Sequence, residues 1–114
     1  MRHVAERRND LPLSEAVLLI LLSLAEEPRH GYAILKDIEE VSEGRVMLST
    51  GTLYGALRRL LDAAWLERVP EDDAPRERQT YRLTGAGRDT LKAEVARMKI
   101  LTRVAALRLN RAEG

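Results

Sequence analysis

Apolar positions recur along this chain with a helical period more often than with a strand period, and the breaks between the runs predict four helices and one hairpin. After Leu11-Pro12-Leu13, Ser14 is placed to cap a helix that runs to about Glu26 and is ended by Pro28. Its apolar residues occur almost all round, so it should be buried on more than one side. A second helix begins near His30 or Gly31, carries Tyr32, Leu35, Ile38 and Val41 on its apolar side, and stops around Ser42 to Gly44. The third has the clearest period. Leu53, Ala56, Leu57, Leu60, Leu61 and Ala64 fill one side, Ser49 or Thr50 caps it, and Gly51, Thr52, Gly55, Arg58, Arg59 and Asp62 fill the other, with Tyr54 at the border.

Trp65 to Val69 and Thr80 to Leu83 are short runs rich in aromatic and β-branched residues, separated by a polar loop with Pro70, Asp72, Asp73 and Pro75. They predict a two-stranded hairpin. Thr84 then caps a final helix in which Leu91, Val95, Met98, Thr102, Ala105 and Leu109 alternate at spacings of four and three. Ile100, Leu101, Val104 and Leu107 widen that stripe beyond what one small core can cover, so a second chain is expected to cover it.

This order is that of a winged helix-turn-helix: a mainly α fold with a small β-hairpin, followed by a C-terminal dimerisation helix. The expected division is an N-terminal arm (1–12), a winged domain (13–84), and the dimerisation helix with a short tail (85–114). A helix about 10–12 Å across fits the DNA major groove. Thr52 and Arg58 can donate to bases or phosphates, and Gly51 and Gly55 remove side chains that would hold the backbone away. The plain alternative is a solvated face on an ordinary three-helix core.

Charge sharpens this picture locally rather than globally. Nineteen Lys and Arg against 18 Asp and Glu leave a net charge of +1, which exerts no overall pull on nucleic acid. Acids gather at Glu15, Glu26, Glu27, Asp37, Glu39, Glu40 and Glu43, whereas Ser49 to Leu61 holds Arg58 and Arg59 and no acid. The absence of cysteine, with only His3 and His30, excludes disulfides, thiol catalysis and a Cys/His zinc site. Neither a metal nor a cofactor is expected. Gly85-Ala86-Gly87 has Thr90 where a nucleotide loop needs a third glycine, and no serine has a histidine and carboxylate near it in sequence, so an enzyme is not expected. The apolar stretch from Ala16 falls short of the roughly 20 residues a bilayer span needs, and a cytoplasmic protein without membrane contact is the expectation.

Three blocks carry a resemblance: His30-Gly31-Tyr32 with Ile34 and Ile38; Leu48-Ser49-Thr50-Gly51-Thr52-Leu53-Tyr54 with Leu57 and Leu60; and Tyr81-Arg82-Leu83-Thr84 with Gly87 and Leu91. In this order and spacing the sequence resembles the PadR family of bacterial transcriptional regulators, from about Leu13 to Leu109. The resemblance implies a homodimeric, DNA-binding repressor of the shorter subfamily, paired through its final helix and often released from an inverted-repeat operator by a small aromatic or amphipathic effector. The expected DNA-contacting set is Tyr32, Ser49, Thr50, Gly51, Thr52, Tyr54, Arg58, Arg59, Arg76 and Arg78, with Tyr32 and Tyr54 equally suited to a core border. The expected dimer set is Leu91, Val95, Met98, Leu101, Val104 and Ala105.

The chain departs from the family pattern twice. Ala64 stands where the family commonly has glycine, so a left-handed turn there is in question. The loop from Glu71 to Arg78 has more acids than bases, so phosphate should repel its tip and leave Arg76 and Arg78 as the wing contacts. That acidic tip also motivates a reading of another class, a winged-helix protein-interaction module without DNA binding. A third reading is a small-molecule carrier built around a dimer cavity.

Overall fold

The computed structural model describes residues 11–70 and 78–114. Along the chain these form α1 (Glu15–Glu26), β1 (Arg29–His30), α2 (Gly31–Val41), α3 (Thr50–Asp62), β2 (Leu66–Val69), β3 (Thr80–Leu83) and α4 (Gly85–Glu113). The Ser14 hydroxyl accepts the Val17 N–H at 3.2 Å and starts α1. Pro28 ends it, because the residue before a proline is driven to extended backbone, and Glu27 adopts φ −162°, ψ 158°. Leu19, Ile20 and Leu21 are buried in succession, which requires cover on more than one side. α2, α4 and β3 supply it.

The sheet has three strands rather than the two expected, in the order β1-β3-β2, all antiparallel. β1 contributes Arg29 opposite Tyr81 and His30 opposite Thr80. His30 Nδ1 and Thr80 Oγ1 lie 3.0 Å apart across that pair. The hairpin register sets Leu66 opposite Leu83 and Arg68 opposite Tyr81. Leu66 and Tyr81 join Ile34, Ile38, Leu53, Ala56, Leu57, Leu60 and Leu91 in the core around α1.

Three expectations about side-chain placement are corrected. The apolar face of α2 is set by Ile34 and Ile38, while Tyr32 and Val41 are exposed, because the helix contacts its neighbours on a narrower stripe than its apolar residues span. Ala64 does not extend the α3 stripe: it lies past the helix, exposed, at φ 62°. The left-handed turn is therefore kept without glycine, and it is closed by Trp65 N–H to Leu60 C=O (3.0 Å) and Ala64 N–H to Leu61 C=O (3.0 Å). Leu91, counted with the dimer stripe, is buried in its own chain's core, where the first two turns of α4 rest on α1 and β3.

Thr84 caps α4 by accepting the Gly87 N–H at 3.0 Å, and its own hydroxyl donates to the Ala64 carbonyl at 2.6 Å. One residue thus ties the turn after α3 to the start of α4. Farther along, Glu94 is buried (1% exposed) on the side of the helix that holds Leu91. Its carboxylate accepts from the Arg97 guanidinium and from the Leu13 N–H at 2.9 Å, pinning the entry of α1 to α4.

The Arg97 hydrogen bonds, helped by the Leu13 N–H, hold the Glu94 carboxyl below its ordinary value against the opposing effect of burial. A lowered folded-state value means that this group stabilises the fold above the unfolded carboxyl range, and that the contribution is lost as pH falls through the folded value. Glu94→Gln is therefore expected to be less stable than the wild type at pH 7, with the gap in denaturant midpoint closing as pH falls through the lowered Glu94 value. A gap independent of pH would show that the ionised carboxylate is not what holds Leu13.

Candidate nucleic-acid interface

The α3 face opposite the core is built by its period. Leu53, Ala56, Leu57 and Leu60 point inward, which turns Gly51, Thr52, Arg58, Arg59 and Asp62 outward. Ser49 is the cap: its Oγ accepts the Thr52 N–H at 3.1 Å and donates to Thr52 Oγ1 at 2.9 Å. The Thr52 hydroxyl proton is thereby left to donate outward.

Among the described residues, nothing packs closely enough against this helix to require its glycines. A β-carbon built on Gly51 or Gly55 meets nothing within 4 Å. Glycine inside a helix costs about 1 kcal/mol relative to alanine, and no close packing among the described residues offsets that cost. Gly31 differs, since a β-carbon there would collide with the Tyr54 hydroxyl. The Tyr54 ring is seated against the first turn of α2, which joins two of the sequence blocks in space. Tyr32, next along, is 62% exposed, with Lys36 Nζ 5.7 Å from its ring centre.

Arg58, Arg59, Arg68 and Arg78 have no ion-pair partner among the described residues, whereas Arg29 pairs with Glu26 and Glu27, Arg82 with Glu67, and Arg97 with Glu94. The unpaired guanidiniums thus include those of α3 and of the hairpin's described strands other than Arg82. Between α3 and the hairpin lies a cleft of about 310 Å³, with Leu57 and Leu61 on its apolar side and Arg58, Arg68 and Gln79 among its polar lining.

The structure groups Ser49, Thr50, Gly51, Thr52, Arg58 and Arg59 on or at the start of α3, and sets Tyr54 at its border toward Gly31. Arg78 is exposed just before β3, and Arg76 lies outside the described residues. Arg68 is a cleft residue that the sequence pattern did not single out. It shares the strand face of Leu66, two residues earlier, but is itself exposed, and a cation alternating with a buried leucine on a short strand was the available signal. Among the described residues no cluster of His, Asp or Glu is arranged to hold a metal, and no helix is long and apolar enough to cross a membrane.

Among the described residues, four helices and a small antiparallel sheet, with a polar, open outer face on the third helix, define a winged helix-turn-helix protein. The family model for the PadR-like transcriptional regulators matches residues 20–93. The chain belongs to that family, which is one of transcriptional regulators and not of enzymes. A PadR family regulator from Clostridium difficile has a similar solved structure, with a TM-score of 0.68, 26% identity, and 84% of this chain and 99% of that one covered. A PadR-like transcription factor from Bacteroides fragilis is similar at a TM-score of 0.64 and 29% identity, covering 91% and 96%. In sequence the chain is 45% identical, over 89 residues, to an uncharacterised 37.1 kDa protein of transposon Tn4556 from Streptomyces fradiae. That match covers 78% of this chain and 24% of the longer relative.

Proposed function

We propose that this regulator binds duplex DNA sequence-specifically as a homodimer and represses by occupying an inverted-repeat operator. The observation that carries the DNA reading is the pair of helix glycines, Gly51 and Gly55, which among the described residues face open space beside Thr52 and two arginines without an ion-pair partner. With α3 in the major groove, the missing side chains let the backbone approach the base edges. Thr52 and Arg58 then donate to bases or phosphates, and Ser49, Thr50, Arg59 and Tyr32 lie where the flanking phosphates would run. Residues 13–84 are the DNA-binding unit in this reading, and 85–114 pair the copies.

The dimer reading rests on α4. It is about 43 Å long at 1.5 Å per residue, and every residue from Lys99 onward is exposed, including Ile100, Leu101, Val104 and Leu107. Two open apolar grooves run along it, one beside Leu91, Val95 and Ala96 and one beside Val95, Met98 and Thr102. Covered by a second copy, they would form the cavity in which a small aromatic or amphipathic effector loosens the spacing of the two α3 helices. A regulator acting on chromosomal operators in this way works in the cytoplasm.

Arg58→Ala and Thr52→Ala test the groove assignment. Both side chains point away from the core, so folding should be unaffected while operator affinity falls. Where the side chain touches a base, its removal should cost about 1–3 kcal/mol and relax specificity at one base pair, and where it touches a phosphate, binding should weaken alike on all sequences. Unchanged affinity in both variants, measured by fluorescence anisotropy, would place DNA elsewhere and favour the protein-interaction reading.

A further inference from the structure

We infer that the hairpin meets DNA at its root rather than at its loop, and that the cleft between α3 and β2–β3 holds one phosphodiester of the backbone between Arg68 and Arg58. The inference rests on the reading of α3 as the groove helix and adds to it a contact made by the hairpin.

Charge along the hairpin leads to it. Residues 71–77 contain Glu71, Asp72, Asp73 and Glu77 against Arg76 alone, a composition that repels phosphate. Arg82, on β3, is held 3.5 Å from Glu67 across the strand pair and is neutralised there. Arg68 has no such partner among the described residues. It sits opposite Tyr81 on the strand face turned toward α3, and it lines the same cleft as Arg58 from the opposite wall.

The lining also suits the ligand's chemistry. Two guanidiniums and the Gln79 amide supply donors for the anionic oxygens, and Leu57 and Leu61 offer an apolar side for the deoxyribose. Guanidinium is the group that grips phosphate with two parallel N–H bonds, so lysine at position 68 would keep the charge and lose the fork. A free phosphate monoester, such as a nucleotide, presents the same chemistry, and the two sources are separated by experiment.

The test compares the full chain with Arg68→Ala, Arg68→Lys and Arg82→Ala, titrating two unrelated duplexes over a series of salt concentrations. Arg68→Ala should weaken both duplexes about tenfold at low salt. It should also flatten the slope of log affinity against log salt by about 0.9, the value for one phosphate on B-DNA. Arg68→Lys should restore the slope and only part of the affinity. Arg82→Ala should leave the slope unchanged, and all three variants should keep the wild-type melting midpoint, which separates a contact from a structural role.

A wild-type slope for Arg68→Ala would overturn the inference while leaving α3 binding intact. Failure of the wild type to bind any duplex would instead overturn the underlying DNA reading. In that case inorganic phosphate and a nucleoside monophosphate, titrated while the Gln79 side-chain amide is followed by NMR, decide between sources. A shift abolished by Arg68→Ala would establish the cleft as a small-anion site, and no shift would remove it altogether.

Discussion

Leu101→Glu combined with Val104→Glu is expected to yield a monomer in sedimentation that has lost most of its operator affinity. Leu101 is 54% exposed and Val104 36% exposed in the single chain, so neither supports its own core, and the variant should stay folded and helical. If a second copy covers them, each carboxylate would be buried without a partner, at several kcal/mol apiece. Small dimer contacts do not absorb such a penalty twice on each side of a twofold axis. If the proposed dimer is what binds the operator, the loss of DNA binding follows from geometry, because it would set two α3 helices about one turn of DNA apart, roughly 34 Å, and a monomer would not. A dimer mass for the double variant would show that copies pair through another surface.

Gly87→Ala should destabilise the fold by about 3 kcal/mol, lowering the melting midpoint by roughly 10 °C. Gly87 is buried in the first turn of α4, and a β-carbon there would fall on the Trp65 carbonyl, deep inside van der Waals contact with its oxygen. That carbonyl has little room to move, since it accepts the Thr84 N–H at 3.0 Å and follows directly on the left-handed Ala64. Relief would require α4 to lift from the Trp65 backbone, disturbing Leu91 and Glu94 farther along the same helix. Gly85→Ala is the control: its β-carbon meets nothing within 4 Å, and it should leave the midpoint near wild type or raise it. Equal midpoints for wild type and Gly87→Ala would mean that α4 can shift away from Trp65 at little cost.

What was legible in the sequence, and what was not, follows from the range over which each feature is determined. The α3 stripe from Leu53 to Leu61 and the caps at Ser14, Ser49 and Thr84 are set within one or two helical turns, and the structure reproduces them, whereas Ala64 falls past the helix end. β1 was illegible because two residues carry no period, and Arg29-His30 becomes a strand only when β3 arrives from fifty residues away. Leu91 and Leu101 lie on one continuous apolar stripe, and only the place where α1 begins beside α4, at Leu13, divides buried from exposed. Glu94 was readable as an acid three residues after Leu91 on that stripe, but its partner Leu13 N–H was not. Gly85-Ala86-Gly87, discounted as a nucleotide loop, has its explanation in the close approach of Gly87 to Trp65. On α3 the reverse holds: its outer face was legible from spacing alone, and the structure adds that no described residue packs against Gly51 or Gly55.

The central claim is that the open face of α3, presented twice by a dimer, reads DNA sequence. Selection of bound duplexes from a random pool by the 114-residue chain tests it most directly. An enriched inverted repeat is the expected result, with half-sites about 10 base pairs apart, centre to centre. That symmetry would report major-groove reading and the dimer together. Recovery of a pool no different from the input, at low salt and with folded protein, would contradict it.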